Sequence, residues 1–299
     1  MEINWTYNGP GPTKVRTFLK DKGLSRRFLA QIRNNNGGYT VNGREGRMVD
    51  MLSSGDQVTV TLPTETARKT DLVKSFVPIK VVYEDRDFLI LDKPDHLASI
   101  PSHLHRLDSV VNRVAGYYQV RSYHGLVPHI ATRLDRDTTG LVLLAKHRYA
   151  HSLVDQQLRN HAIEKEYVAI TSGQLAQDYY DIRAPIGRKE DSIMLREVRP
   201  DGQAARTELF VTQQLHQASL LRVRLHTGRT HQIRVHTAFL GHPLVGDRFY
   251  AGMRTPLIQR QALHCQRLKF YQPLLEKWVE VTTDLPADMQ AIIAAGGIN

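Results

Sequence analysis

An α+β protein is what this sequence predicts, and three observations carry the prediction. Helix-spaced apolar residues (Val15, Phe18 and Leu19; Phe28, Leu29 and Ile32; Leu107, Val110, Val111 and Val114) occur beside strand-like runs. Two of those runs, 206–211 and 220–225, alternate apolar and polar residues as antiparallel strands. Two dense polar clusters, 132–141 and 226–236, each adjoin an apolar strand.

The totals bound what such a protein can do. Its 299 residues, 41% hydrophobic and 23% charged, suit one large domain or a catalytic domain with a small companion. Forty Lys and Arg against thirty Asp and Glu leave a formal net charge of +10. That excess favours a polyanionic partner, nucleic acid ahead of a membrane surface. The single cysteine, Cys265, excludes a disulfide framework and a thiolate metal cage, and suits a reducing cytoplasm. Residues 1–8 lack the basic end and apolar core of a signal peptide, and no apolar run approaches the ~20 residues that span a bilayer.

Taken in order, residues 1–13 read as an irregular or strand-like leader ending in Gly9-Pro10-Gly11-Pro12. Two short helices follow, the second capped by Ser25. Tyr39-Thr40-Val41 is a strand, Asn42-Gly43 a tight hairpin turn, and 57–62 a closing strand. Between Lys14 and Met48 stand nine Lys and Arg, Arg26, Arg27 and Arg33 among them, against Asp21 and Glu45. Such a surface is suited to phosphates. The helix start at Ser25-Arg26-Arg27, the hairpin and the Ser54-Gly55-Asp56 turn resemble a small αL-type RNA-binding module shared with a ribosomal small-subunit protein. We expect residues 1–62 to form this module, 63–78 a polar linker between Pro63 and Pro78, and 79–299 a catalytic domain.

Beyond the linker, 81–83 and 88–91 read as strands, the second closed by Asp92-Lys93-Pro94. Residues 106–120 and 148–160 read as helices, and 165–170 as a strand carrying Tyr167. A tyrosine on a half-buried strand is most simply core. In the second polar cluster Gly228 frees the turn, and Thr230 is expected to cap a helix from His231 that carries Gln232, Arg234 and His236. A strand pair around 272–281 ends the pattern. The fourteen histidines have no metalloprotease spacing, so no metal is expected. A Gly-x-Ser-x-Gly elbow, a P-loop and a dinucleotide fingerprint are all absent, and Cys265 alternates as a strand core residue. Carboxylate chemistry on a polyanion, without a cofactor, is what remains. Asp135, at the mouth of an apolar strand with Arg133 beside it, is the candidate nucleophile or general base.

Four ordered motifs carry a resemblance to the RluA/RluD type of RNA pseudouridine synthase. They are Leu91-Asp92-Lys93-Pro94; Arg133-Leu134-Asp135-Arg136-Asp137-Thr138-Thr139-Gly140-Leu141; Lys165-Glu166-Tyr167; and 227–236 with Gly241-His242-Pro243 and Gly246-Asp247. The resemblance covers about 78–290. It implies a mixed, mostly antiparallel central sheet with a catalytic cleft, and conversion of uridine to pseudouridine in structured RNA. The base leaves the sugar at N1, turns, and rejoins through C5 after the nucleotide has been flipped from its stack. Large-subunit ribosomal RNA is the first expected substrate and transfer RNA the second.

The resemblance also implies roles. Asp135 matches the family's essential aspartate, acting by attack at C1′ or by removal of the 2′ proton. Arg234 matches the arginine that pairs with it, displacing Arg133 from that part. Tyr167 matches the tyrosine that packs on the target base. Arg133 would fill the gap left by the base or grip a phosphate, while Lys93, Arg229 and His231 would contact RNA or hold the cleft walls. Asp137 would support the turn before Gly140. Thr132 departs from the family, which usually has His before Arg-Leu-Asp; His129 lies three residues earlier. A monomer is expected. The rival reading, a non-catalytic RNA-binding or ribosome-assembly factor of the same fold, is opposed by the intact Asp135, Tyr167 and Arg234.

Overall fold

In the computed structural model, residues 1–35, 37–65 and 72–298 are described. The N-terminal part contains strands β1 (Glu2–Thr6) and β2 (Thr13–Lys14), and helices α1 (Val15–Asp21) and α2 (Arg26–Asn34). Strands β3 (Gly38–Val41), β4 (Arg44–Glu45), β5 (Met51–Leu52) and β6 (Gln57–Thr61) follow. Four of these strands form an antiparallel sheet in the order β1-β6-β3-β4. Ser25 Oγ accepts the Phe28 amide at 3.2 Å and so caps α2. Asn42 and Gly43, with φ of +50° and +77°, make the primed turn that the twist of a hairpin favours. Val15, Phe18 and Leu19 of α1 and Leu29 and Ile32 of α2 face inward, leaving Arg26, Arg27 and Arg33 exposed.

This part does not close its own core. Tyr149 and Leu153, from a helix far along the chain, complete it. Tyr149 is 1% exposed, with Trp5 edge-on at 6.1 Å and Phe28 stacked at 6.2 Å. Its hydroxyl donates to Lys22 O. The expected linker is described only outside 66–71. On its N-terminal side Glu65 meets His129 Nε2 at 2.7 Å and accepts the Arg148 amide at 2.5 Å. On its C-terminal side Ser75 lies so close to Gly116 that a Cβ there would stand 2.0 Å from Ser75 O.

The larger part begins with β7 (Lys80–Glu84), β8 (Phe88–Lys93), α3 (Val110–Val120), β9 (His129–Ile130), β10 (Thr139–Ala145) and α4 (Arg148–Arg159). It continues through β11 (Glu164–Ser172), β12 (Tyr179–Ile182), β13 (Ile186–Arg188), β14 (Arg196–Val198), β15 (Thr207–Leu215) and β16 (Ala218–Leu225). Helix α5 (Gln232–Phe239), β17 (Leu263–Gln272), β18 (Lys277–Thr282) and α6 (Ala287–Ala294) complete it. The main sheet runs β12-β15-β16-β11-β17-β10-β8-β7, with β18 on β17 and β9 on β10. It is mixed and mostly antiparallel, as expected: β10 with β17 is the parallel contact. Among the described residues no helix is long and apolar enough to cross a membrane.

Two expectations shift. Helix α3 begins at Val110, not 106, because Ser109 Oγ accepts the Asn112 amide there and Leu107 is left exposed. Helix α6 was not anticipated; Met289 and Ile292 seat it against Ile170, Leu215 and Val245.

Candidate active site

The parallel contact between β10 and β17 pairs only Thr139 with His264 and Gly140 with Cys265. Cys265 is also the register partner of Tyr167 in β11. Gly140, Cys265 and Tyr167 therefore lie side by side across three strands. The close approach needs glycine: at φ +108°, a Cβ on Gly140 would stand 2.3 Å from Cys265 O and 2.6 Å from its nitrogen. A short-range ladder thus carries the segment just before β10, with Asp135 on it, to the strand that holds Tyr167.

That segment is tied at every step. Thr132 Oγ1 accepts the Leu143 amide at 2.9 Å, and Ser99 Oγ donates to Leu134 O (2.6 Å) while accepting the Leu134 amide (3.0 Å). Gln261 Nε2 donates to Thr138 Oγ1 at 3.0 Å, and Thr138 N closes a turn onto Asp135 O at 3.1 Å. The Asp137 carboxylate lies outside the cleft, bound by Arg136 and His96. Lys93, expected among the RNA contacts, is corrected to an internal brace. It is 1% exposed, and its Nζ donates to Pro94 O (2.8 Å), Leu97 O (2.9 Å) and Arg136 O (2.8 Å). Three protons on three carbonyls leave none for a phosphate. Burial pushes its ammonium down to about 7, opposed in part by the charges of Asp137 and Asp135.

Asp135 finds its cation across the sheet. Arg234 Nη1 donates to Asp135 Oδ2 at 3.1 Å, 99 residues away in sequence. The same guanidinium donates from Nε and Nη2 to the two oxygens of Asp247, at 2.7 and 2.9 Å, and lies 5.3 Å from the ring of Phe249 and 5.1 Å from that of Tyr250. Burial works against its charge, but Asp247 and then Asp135 outweigh it and raise the group above its ordinary value. Adjacent Arg133 is exposed and makes no ion pair among the described residues.

Helix α5 brings Arg234 here, though not by the expected cap. Thr230 lies outside the helix, and the N-cap is His231, in the left-handed region at φ +57° with no side-chain capping bond. The preceding turn is instead tied by Gln232, whose Oε1 accepts from Thr227 Oγ1 and the Arg229 amide and whose Nε2 donates to Arg206 O and Thr207 Oγ1. His236 is spent internally on Thr207 and Ala184.

Tyr167 is buried and its hydroxyl meets Cys265. Burial, then Cys265 and the Asp135 charge, push the phenol well above its ordinary value, so it is protonated at neutral pH. The Cys265 thiol is itself pushed up to about 11 by burial, in keeping with a core residue.

These groups open on one cleft of about 690 Å³. Arg133, Asp135, Tyr167, Arg229, His231 and Arg234 all line it, and Arg229 Nε is fixed on Ala204 O at 3.0 Å. Lys93 does not line it, nor do Arg26, Arg27 and Arg33, which sit on α2. His129 turns away to Glu65, so it does not replace the family's histidine at position 132. Lys165 lines the cleft too, its ammonium pushed down by burial, and received no role from the sequence. Asp247 belongs to the Gly246-Asp247 motif, and a lone Gly-Asp gives no sign that its carboxylate is buried against an arginine.

Residues 87–239, the stretch that builds the Asp135 segment, the Tyr167 strand and the Arg234 helix, match the family model described as RNA pseudouridylate synthase. The chain belongs to this family. It is 40% identical over 279 residues to the uncharacterized RNA pseudouridine synthase YjbO of Bacillus subtilis (strain 168), covering 93% of this chain and 98% of that one. It is 35% identical over 234 residues to the ribosomal large subunit pseudouridine synthase D of Haemophilus ducreyi, covering 73% and 71%. In fold it is similar to human RNA pseudouridylate synthase domain containing 1, with a TM-score of 0.58, 23% identity, and 74% and 95% of the two chains covered. The protein is accordingly an RNA pseudouridine synthase, an isomerase that turns uridine into pseudouridine in RNA.

Proposed function

We propose that Asp135 is the reacting group of this synthase, that Arg234 orients it, and that Tyr167 packs on the flipped base. The observation that carries the reading is the 3.1 Å Arg234–Asp135 pair in a cleft that Tyr167 also lines. A flipped uridine brings its C1′ and 2′ hydrogen to the carboxylate. Attack at C1′ gives a covalent sugar–aspartate ester; removal of the 2′ proton gives a glycal. Either way uracil leaves through N1, turns, and bonds to C1′ through C5, and the C5 proton is then lost. Tyr167, a neutral phenol, can relay that proton but is not a standing phenolate base.

The substrate we favour is structured ribosomal RNA of the large subunit, with transfer RNA second; the large-subunit relatives support the first. Residues 1–62 serve as the RNA-docking module, 63–78 link it, and 79–299 carry the chemistry. Exposed Arg26, Arg27 and Arg33 support docking through phosphates. Arg133 and Arg229 grip RNA at the cleft. We take the enzyme to work as a cytoplasmic monomer; its one buried cysteine supports a reducing compartment.

The test is release of tritium from C5 of uridine in large-subunit ribosomal RNA and in transfer RNA transcripts. Wild-type protein releases it and Asp135→Asn does not; full release by Asp135→Asn defeats the assignment. Deuterium at C2′ separates the two routes, because it slows turnover strongly only when that bond breaks.

A further inference from the structure

Asp135 presents two oxygens, and their surroundings differ. Arg234 Nη1 lies 3.1 Å from Oδ2, and His231 Nε2 lies 3.9 Å from the same oxygen. No donor among the described residues is hydrogen-bonded to Oδ1. His231 is 12% exposed in its side chain and lies against Phe249 (rings 6.3 Å apart) as well as Tyr250. Its backbone is held at φ +57°, in the left-handed region that a non-glycine residue seldom occupies. With α5 starting at the next residue, this conformation sets the ring in the cleft beside Asp135.

The ring's other contact favours one tautomer. Tyr250 Oη accepts the Arg196 amide at 3.1 Å and lies 3.0 Å from His231 Nδ1, and the hydroxyl's own proton is used when Nδ1 accepts it. An Nδ1 that accepts puts the ring proton on Nε2, the nitrogen facing Asp135. The hairpin of β13 and β14, through Arg196, thereby orients a donor at the cleft.

We propose that His231 is a positioning residue for Asp135. Its Nε2–H closes on Oδ2 when RNA fills the cleft, and with Arg234 it holds that oxygen so that Oδ1 faces the sugar. A catalytic hydrogen bond that is long in the free enzyme and tightens on binding is ordinary behaviour. The inference rests on the reading of Asp135 as the reacting group. The charged and titratable groups facing the ring are Asp135, Arg234, Asp247, Arg196 and Tyr250. Burial pushes the imidazole below its ordinary value, so it is neutral through the neutral range. Protonation in acid adds a proton at Nδ1, where the Tyr250 hydroxyl turns from donor to acceptor, and leaves the Nε2–H facing Asp135 in place.

The experiment compares His231→Leu, His231→Gln and Tyr250→Phe in the full chain, by C5 tritium release at saturating RNA across pH. His231→Leu lowers kcat by about 10- to 100-fold with KM for RNA held, the range expected when a reacting group loses its aim. His231→Gln, which returns an N–H donor near the Nε2 position, recovers most of the rate. Tyr250→Phe lowers kcat by less, and ¹⁵N spectra show the His231 ring proton redistributed between its nitrogens. Equal impairment of the Leu and Gln variants, or wild-type kcat in the Leu variant, overturns the proposal. Asp135→Asn run alongside separates the two failures. An inactive Asp135→Asn with a fully active His231→Leu defeats only the His231 inference, whereas an active Asp135→Asn defeats the reading beneath it.

Discussion

Asp247→Asn tests whether the carboxylate behind Arg234 is what aims Arg234 at Asp135. Asp247 is fully buried and accepts three hydrogen bonds: Arg234 Nε at 2.7 Å, Arg234 Nη2 at 2.9 Å and the Phe249 amide at 3.0 Å. Asparagine keeps the shape but offers one acceptor oxygen and turns an NH2 toward a group that only donates. Removing one partner of a buried ion pair costs roughly 3–5 kcal/mol. Asp135 still faces Nη1, so the lower end applies, about 3 kcal/mol, or roughly a hundredfold in the folding equilibrium. The freed guanidinium is then able to turn both edges on Asp135 and occupy Oδ1. Turnover per folded molecule should therefore fall about a hundredfold as well, the cost of misplacing a reacting group by an ångström. Urea titration measures the first effect and C5 tritium release at saturating RNA the second, with RNA affinity unchanged. Wild-type midpoint and wild-type turnover together would falsify the claim that Asp247 holds this arginine.

Three further outcomes are expected. Lys93→Met leaves three carbonyls without their donor, so stability falls by about 1–3 kcal/mol while the salt dependence of RNA binding keeps its slope; a slope reduced by about one unit would return Lys93 to the RNA surface. Tyr149→Ala empties the core shared by α4 and the N-terminal part, costing about 3–5 kcal/mol and exposing 1–62 to protease, whereas an unchanged cleavage pattern would mean the small part closes without α4. His264, buried in β17 opposite Thr139 and bonded through Nδ1 to Thr139 Oγ1 at 2.8 Å, is pushed down to about 4 by burial. The unfolded chain binds that proton from pH ~6.5 downward and the folded chain only near 4, so stability is present above ~6.5 and lost as pH falls toward 4. Replacing His264 with Gln should flatten the urea midpoint over this window, and an unaltered slope would assign the acid loss elsewhere.

Local pattern made much of this molecule legible. Helix spacing located α1, α2 and α4 because each buries one face, and alternation located β15 and β16 because each has a buried and a solvated side. Asn42-Gly43 announced its turn because few other pairs tolerate two positive φ values in succession. The motif positions of Asp135, Tyr167 and Arg234 are readable as residues that resemble a family's, and Arg133 is readable as a cation for RNA.

What sequence order could not decide was which groups meet across the sheet. Lys93 and Arg133 are both basic residues beside motifs, yet one spends every proton on carbonyls and the other faces the cleft; only the path of 94–97 and 136 separates them. Residues 148–160 read simply as a helix, and the structure makes Tyr149 core for the N-terminal segment that ends at Leu62. Asp247, Tyr250 and Arg196 acquire their parts through contacts 13, 19 and 54 residues apart in sequence. Hydrogen bonds and ion pairs act over about 3 Å of space, whatever the separation along the chain. The sequence by itself determined most of the elements, though not α6, together with the charge and the kinds of reactive group. Tertiary structure decided which oxygen of Asp135 is held, and by whom, because that depends on the register at Gly140, Cys265 and Tyr167 and on the left-handed turn at His231.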